Sequence, residues 1–173
     1  GNEQSGIHEF LNYIKKTQSE EDDNKEKKIE EDVEGEKIGE VINIAHIYQN
    51  KDVIFQFSQA SFQDALHIIH SQKKSKTQVI LLLFSLIHRE SFLYLTQEWS
   101  NNIKEYKKND IILLIGVDRD LWDENSHDFV HLDEIGVFAK NIGAFNFVKC
   151  SYITGNKIEY CKNQIIKAVI SKK

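Results

Sequence analysis

The protein has 173 residues, of which 40% are hydrophobic and 28% charged, and its formal net charge is −5. This length and composition predict one globular domain with a sizeable core. The acidic balance argues against nucleic acid as a partner, and two cysteines are too few for a disulfide framework or a four-ligand zinc site. The longest apolar run, Val79 to Ile87, is well short of the roughly 20 residues that a membrane span needs. With no signal peptide at the start, we expect a cytoplasmic protein that does not insert into membranes.

The first predicted elements are a helix and an acidic loop. Apolar residues recur at helical spacing at Ile7, Phe10, Leu11 and Ile14, which predicts an amphipathic helix. Glu20 to Glu36 holds ten acidic residues and only three lysines. Such a block cannot bury apolar surface, so residues 17–36 are predicted to form a mobile acidic loop. This loop is either a solvated insertion or an acidic docking site for a basic partner.

Two strands and a second helix are predicted next. Apolar and polar residues alternate from Lys37 to Gln49 and from Asp52 to Phe57, which is typical of two strands, joined here at Asn50 and Lys51. A second helical stripe consists of Phe62, Ala65, Leu66 and Ile69.

The rest of the chain alternates apolar strands with helices. The predicted strands are Val79–Phe84, Ile111–Ile115, which Gly116 ends, and Phe145–Cys150. The predicted helices are Arg89–Lys107, Leu132–Ile142 and a last helix marked by Ile158, Cys161, Ile165 and Val169. Strands separated by single helices form a parallel sheet covered on both faces. The sequence therefore predicts an α/β fold, a three-layer domain with a mostly parallel sheet, over residues 1–173.

Several segments resemble small GTPases of the Ras superfamily, in particular the Rab type. VILLLFSLIHRESF, residues 79–92, looks like the Rab-type fourth strand and the start of the third helix, on which Trp99 and Ile103 occupy Rab-like positions. IILLIGVDRDLW, residues 111–122, resembles the strand that carries the guanine-recognition motif. FVKCSYITGNKIEY, residues 147–160, resembles the strand and loop that close over the base. The resemblance implies one more central strand, which we expect upstream of Gly1.

Gly1 and Gly6 have the spacing of the family's phosphate loop. In that loop, glycines turn backbone N–H groups toward phosphate, a Lys neutralises phosphate oxygens and a Ser or Thr hydroxyl binds Mg²⁺. Ile7 and His8 stand at the Lys and hydroxyl positions. Isoleucine has no charge, and neutral imidazole is a poor ligand for Mg²⁺, which prefers oxygen. The resemblance therefore implies that tight triphosphate binding is lost.

The other nucleotide motifs are also incomplete. Ser58 replaces the Asp of the Asp-x-x-Gly turn that contacts Mg²⁺ through water, and Ser and Phe occupy its Gly and Gln positions. Of the guanine motif Asn-Lys-x-Asp only Asp120 is kept, and Asp118 is expected to add a second negative charge near the base edge. Of the Ser-Ala-Lys motif Ser151 is kept, whereas Tyr152 is bulkier than the small residue of the family.

Three features outside these motifs have alternative interpretations. Trp122 lies in a polar loop, where it either anchors an interface, as Trp often does, or packs over the base of the loop. His67 and His70 are spaced as two metal ligands would be on a helix, but no third ligand is identifiable, so we expect no metal site. Cys150 and Cys161 are expected to be small core residues.

These features predict a catalytically inactive, Rab-like protein without a cofactor. It would serve as a protein–protein interaction or structural subunit of a cytoskeletal, ciliary or trafficking assembly. No lipid anchor is visible in residues 170–173, which include no Cys; this excludes an anchor only if Lys173 is the natural end. One alternative is a divergent GTPase that binds GTP or GDP with Mg²⁺, using Asp120 and Ser151 for the guanine and compensating groups elsewhere, and acts as a switch in intracellular transport. Another is a regulatory module that competes with an active relative for its effectors.

Overall fold

The computed structural model describes residues 6–19, 41–48, 51–58, 79–106, 111–118, 120, 123, 125, 126 and 129–170. The helices are α1 (Ile7–Ser19), α2 (Arg89–Tyr106), α3 (Leu132–Ile142) and α4 (Ile158–Ile170). The strands are β1 (Val41–Tyr48), β2 (Lys51–Ser58), β3 (Val79–Ser85), β4 (Ile111–Asp118) and β5 (Asn146–Ser151). Every predicted element within the described ranges is present in the predicted order. The helix predicted at Phe62–Ile69 lies outside them.

The strands pair in two groups. β1 and β2 form an antiparallel pair in which Tyr48 faces Lys51, so Lys51 belongs to β2 and not to the turn. β3, β4 and β5 form a parallel sheet with β4 in the middle. The connections from β3 to β4 and from β4 to β5 each contain one described helix. This confirms the predicted α/β class with parallel strands.

The core lies on both faces of β4, because its side chains alternate between two clusters. One cluster joins β4 to α1 and α4 through residues that include Phe10, Ile14, Leu113, Ile115, Val117, Cys161 and Ile165. The other joins β4 to α2 and α3 through residues that include Phe92, Leu95, Trp99, Ile112, Leu114 and Phe138. Burial on both faces explains why β4 is a continuous apolar run rather than an alternating one. It also confirms the predicted three layers.

The prediction that Gly116 ends its strand is wrong. β4 continues to Asp118, and Gly116 lies in the sheet between Phe84 and Lys149. A Cβ on Gly116 would lie 3.0 Å from Phe147 Cε2 and 3.1 Å from the Leu86 side chain. The glycine is therefore needed for close packing and not for a turn. Because the strand continues, it carries Asp118 to the carboxyl edge of the sheet.

Other predicted boundaries differ by a few residues. α1 continues through Ser19, so residues 17–19 are helical, and the remainder of the predicted acidic loop, 20–36, lies outside the described residues. β3 and β5 each end one residue later than predicted, at Ser85 and Ser151. Phe145, predicted as the first residue of the last strand, precedes β5 and donates its N–H to the carbonyl oxygen of Ile112 at 2.7 Å. Within the described ranges, no helix combines the length and apolarity needed to cross a membrane.

An ion pair connects the N-terminal ends of α2 and α3. Arg89 donates from Nη2 to Glu134 Oε2 at 2.5 Å and from Nη1 to Glu134 Oε1 at 2.8 Å. Arg89 Nη1 also donates to the carbonyl oxygen of Phe129 at 3.0 Å. The hydrogen bonds from Arg89 hold the pKa of Glu134 below its usual value, against the opposing effect of burial. The two parallel hydrogen bonds hold the start of α2 next to the first turn of α3.

We expect Gly116→Ala to destabilise the protein and Gly136→Ala to stabilise it. The first change forces a methyl group against Phe147 and Leu86, which costs roughly 1–3 kcal/mol in a packed core. The second adds a methyl group on α3 with nothing within 4 Å, and alanine is favoured over glycine in a helix by up to about 1 kcal/mol. Urea unfolding measures both free energies, and equal effects of the two changes would contradict the packing account.

Glu134→Gln is expected to lower the free energy of unfolding at neutral pH by roughly 0.5–1 kcal/mol, a small value because both side chains are 35% exposed. The folded-state pKa of Glu134 is depressed, so its stabilising effect is full above the unfolded pKa and is lost as the pH falls through the folded pKa. Wild type and variant should therefore converge in acid. Glu159→Gln is the control, since Glu159 is 64% exposed and 3.5 Å from Lys162. If the free energies of unfolding of wild type and Glu134→Gln still differ in acid, the effect does not come from the Arg89–Glu134 ion pair.

Candidate functional site

The start of α1 meets the carboxyl ends of β4 and β5. Gly6, which precedes α1, has φ +74° and accepts a hydrogen bond from the N–H of Phe10 at 3.0 Å. A Cβ on Gly6 would lie 3.4 Å from Val117 Cγ1 and 3.5 Å from Tyr152 Cε1. The glycine singled out in the phosphate-loop spacing is thus adjacent to the ends of the two strands that carry the guanine-like motifs. Ligands commonly bind at this edge of a parallel sheet.

Asp120 and Ser151, both predicted as site residues, are in direct contact. Ser151 Oγ donates to Asp120 Oδ2 at 2.7 Å, and the hydroxyl of Thr154 donates to Asp120 Oδ1 at 3.3 Å. Ser151 is buried, whereas Asp120 is exposed. Each carboxylate oxygen has a second lone pair, so Asp120 can still accept hydrogen bonds from a ligand. Sequence reasoning missed Thr154, although a hydroxyl three residues after Ser151 is a recognisable signal in a tight loop.

Asp120 is held in a left-handed conformation, with φ 60°. Its N–H donates to Asp118 Oδ1 at 3.1 Å, a bond of the kind by which Asp side chains stabilise turns two residues on. The strain of a non-glycine residue in this region is therefore offset by a local hydrogen bond. The turn fixes where the Asp120 carboxylate lies.

The expectation that Asp118 adds negative charge near the base edge is wrong. Its side chain is only 3% exposed, and Oδ2 lies 3.0 Å from Nζ of Lys149 on β5. A buried carboxylate needs such a partner, because an unpaired charge is costly to desolvate. Lys149 was missed by sequence reasoning, and the available signal was a lysine inside an otherwise apolar strand. Because Asp118 Oδ1 also accepts from the N–H of Asp120, the ion pair stabilises the turn at Asp120.

The two cysteines are core residues, as expected from the sequence. Cys150 on β5 and Cys161 on α4 are both free and buried. A hydrogen bond with Cys161 and burial raise the pKa of the Cys150 thiol. A thiol in this state is not a nucleophile, because reactivity requires the thiolate.

Several sequence-predicted positions have little or no structural description. Gly1 and Trp122 lie outside the described residues, as do His67 and His70. Ser58 is the last residue of β2, where it pairs with Val41, and only its backbone is described. Among the described residues, no group of three or more His, Cys, Asp or Glu side chains could hold a metal ion.

The residues at the start of α1 do not fit the Mg²⁺–triphosphate group that the resemblance implies. Ile7 and His8 form the first turn of the helix directly after Gly6, and His8 is exposed. Neither side chain supplies the ammonium group or the oxygen ligand that this group requires. The half of the site that the resemblance assigns to the base differs, since the Asp120 carboxylate and the Ser151 hydroxyl are both present and in contact.

Lys149→Met is expected to lower the free energy of unfolding by roughly 1–3 kcal/mol, because it leaves the buried Asp118 carboxylate without its ammonium partner. Adding Asp118→Asn should recover most of the loss, since the charge disappears while the side-chain oxygen can still accept from the Asp120 N–H. Lys167→Met on the exposed side of α4 is the control. Urea unfolding checks the series, and an effect of Lys149→Met no larger than that of Lys167→Met would refute the assignment.

Comparison with known proteins agrees with the described fold. The Ras family model matches residues 12–171. Rho-related protein racM of Dictyostelium discoideum is 33% identical over 96 residues, 53% of this chain and 51% of the relative. Ras-like GTP-binding protein RhoL of Drosophila melanogaster is 30% identical over 93 residues, 54% of this chain and 49% of the relative. Rho-related protein racL of Dictyostelium discoideum is 24% identical over 132 residues, 70% of this chain and 67% of the relative.

The chain thus spans about half the length of racM and RhoL, two of the curated relatives that it matches. These relatives carry Rho names, so the comparisons support the resemblance to the small GTPase superfamily and do not single out the Rab type. The family match covers all four described helices except the first residues of α1, and all five described strands. The chain belongs to the Ras family of small GTPases.

Proposed function

We propose that this Ras-family chain does not hydrolyse GTP and serves as a protein–protein interaction or structural subunit of a larger assembly. The observation that carries the proposal is the first turn of α1, where Ile7 and His8 follow the left-handed Gly6. In the family this turn provides the Lys and the hydroxyl that hold phosphate and Mg²⁺. Phosphoryl transfer depends almost entirely on such positioning and electrostatic stabilisation. A chain without these groups has lost the main source of catalysis.

The position that the resemblance assigns to the Mg²⁺-linked aspartate supports the same proposal. Ser58, at the end of β2, replaces the aspartate that contacts Mg²⁺ through water in the family. No carboxylate is available at that position to complete the metal shell. Independent losses at both phosphate-facing positions favour a protein that has kept the fold for another use.

Surfaces for protein partners are available on the described part of the fold. Val137 on α3 is 62% exposed, Ile153 in the β5–α4 loop 54% and Tyr160 on α4 50%. Single exposed apolar residues are ordinary, so they permit an interface without specifying it. The run of acidic residues from Glu20 to Glu36 favours a basic partner. A cytoskeletal, ciliary or trafficking assembly on the cytoplasmic side of membranes is the proposed setting.

One observation favours a second candidate, a divergent GTPase that still binds guanine nucleotide and acts as a switch. Ser151 holds the Asp120 carboxylate in an exposed position, which leaves acceptors for a ligand. The relative RhoL is described as a GTP-binding protein. In this case binding would depend on Asp120 and would use groups other than Ile7 and His8 at the phosphates.

Titration with fluorescent GTP and GDP, with and without Mg²⁺, separates the two candidates. We expect the full-length protein to show no saturable binding at or below about 100 μM, which corresponds to roughly −5.5 kcal/mol. RhoL serves as a positive control. Asp120→Ala is compared with Asp123→Ala, a change of an exposed aspartate in the same loop. Micromolar binding that Asp120→Ala abolishes and Asp123→Ala keeps would contradict the proposal and support the switch.

A further inference from the structure

Tyr13 of α1 packs against the loop between β5 and α4. A Cβ on Gly155 of that loop would lie 1.9 Å from the Tyr13 hydroxyl oxygen and 2.9 Å from its Cζ. Any side chain at position 155 would therefore displace the tyrosine. Gly155 also has φ +74°, a conformation that favours glycine. The loop is thus shaped to receive the end of the Tyr13 ring.

Tyr152 makes the reciprocal contact from the loop to the start of α1. Its Cε1 lies 3.5 Å from the position of a Cβ on Gly6, whose φ is +74°. Each of the two segments thus contributes one tyrosine and one left-handed glycine. Both rings are partly buried and pack on the core cluster that contains Phe10, Val117 and Ile158.

The loop between the two tyrosine contacts has its own hydrogen bonds. The N–H of Ser151 donates to the carbonyl oxygen of Asn156 at 3.0 Å, and the N–H of Ile158 donates to that of Gly155 at 3.1 Å. Ser151 Oγ accepts from the N–H groups of Ile153 and Thr154 at 3.2 and 3.4 Å. Hydrogen exchange at these amide groups therefore measures whether the loop keeps this hydrogen-bonded conformation.

We propose that Tyr13 and Tyr152 form a clasp that holds the β5–α4 loop against α1 without a ligand. The family resemblance places phosphates at the start of α1 and the base beneath this loop, so a bound nucleotide would join the same two segments. In this chain the connection is made by side chains. Aromatic rings suit this role, because they bury a large apolar area with few rotatable bonds. The clasp does not depend on the proposed function, since a nucleotide-binding protein could also contain it.

Amide hydrogen exchange on the nucleotide-stripped full-length protein tests the clasp. The amides of Ser151, Ile153, Thr154 and Ile158 should be protected in the wild type without nucleotide. In Tyr13→Ala and Tyr152→Ala their exchange should accelerate about tenfold or more, as local opening becomes easier, while Leu114 and Ile115 of β4 exchange nearly as before. Tyr160→Ala, at a half-exposed tyrosine on α4, is the control. Tyr152→Phe should retain protection, because the ring contact survives.

The outcomes separate the clasp from the proposed function. If these amides are unprotected in the wild type until GDP and Mg²⁺ are added, the clasp is refuted. If both Ala variants behave like Tyr160→Ala, or if core amides open in parallel with the loop, it is refuted as well. If GDP binds but loop protection is the same with and without it, the clasp stands and the proposed loss of nucleotide binding fails.

Discussion

Burial of β4 on both faces is the constraint on which the described fold depends. Its side chains alternate between a cluster with α1 and α4 and a cluster with α2 and α3, so one strand holds both helix layers. Gly116 allows close packing on this strand, because a Cβ there would lie 3.0 Å from Phe147 Cε2 and 3.1 Å from the Leu86 side chain. The strand can then continue to Val117 and Asp118, which define the edge where the candidate site lies. Changes in the middle of β4 should therefore affect both layers and the site together.

The described carboxylates at that edge have hydrogen-bond or ion-pair partners within the chain. Asp118 is paired with Lys149, and it also accepts from the N–H of Asp120. Asp120 in turn accepts from Ser151 and Thr154. This network positions the exposed Asp120 carboxylate. The order of the loop around Asp120 therefore comes from side chains on β4, β5 and the β5–α4 loop, and does not depend on Ile7 or His8.

The order of elements, the parallel sheet and its two covered faces could be predicted from hydrophobic patterning, because β3 and β4 are continuous apolar runs and α3 has a clear helical stripe. Gly116 misled the prediction, since a glycine that ends a strand and one that permits close packing look alike in sequence. The Asp118–Lys149 pair depends on the register between β4 and β5, which a single sequence does not specify. Contact between Tyr13 and Gly155 depends on how α1 packs, which is also a tertiary property. Asp120 and Ser151 were found through the family motifs, whereas the contacts that Thr154 makes with Asp120 and Lys149 makes with Asp118 became visible only in three dimensions.

We propose that this Ras-family chain keeps its fold without guanine nucleotide and does not retain one. The most direct test is to purify the full-length protein from its own cells under conditions that retain Mg²⁺, denature it by heat and chromatograph the supernatant for guanine nucleotides. We expect no GDP or GTP above the background of a mock purification, while RhoL treated in the same way releases bound nucleotide. Stoichiometric GDP or GTP in the supernatant would contradict the account and make the chain a divergent switch.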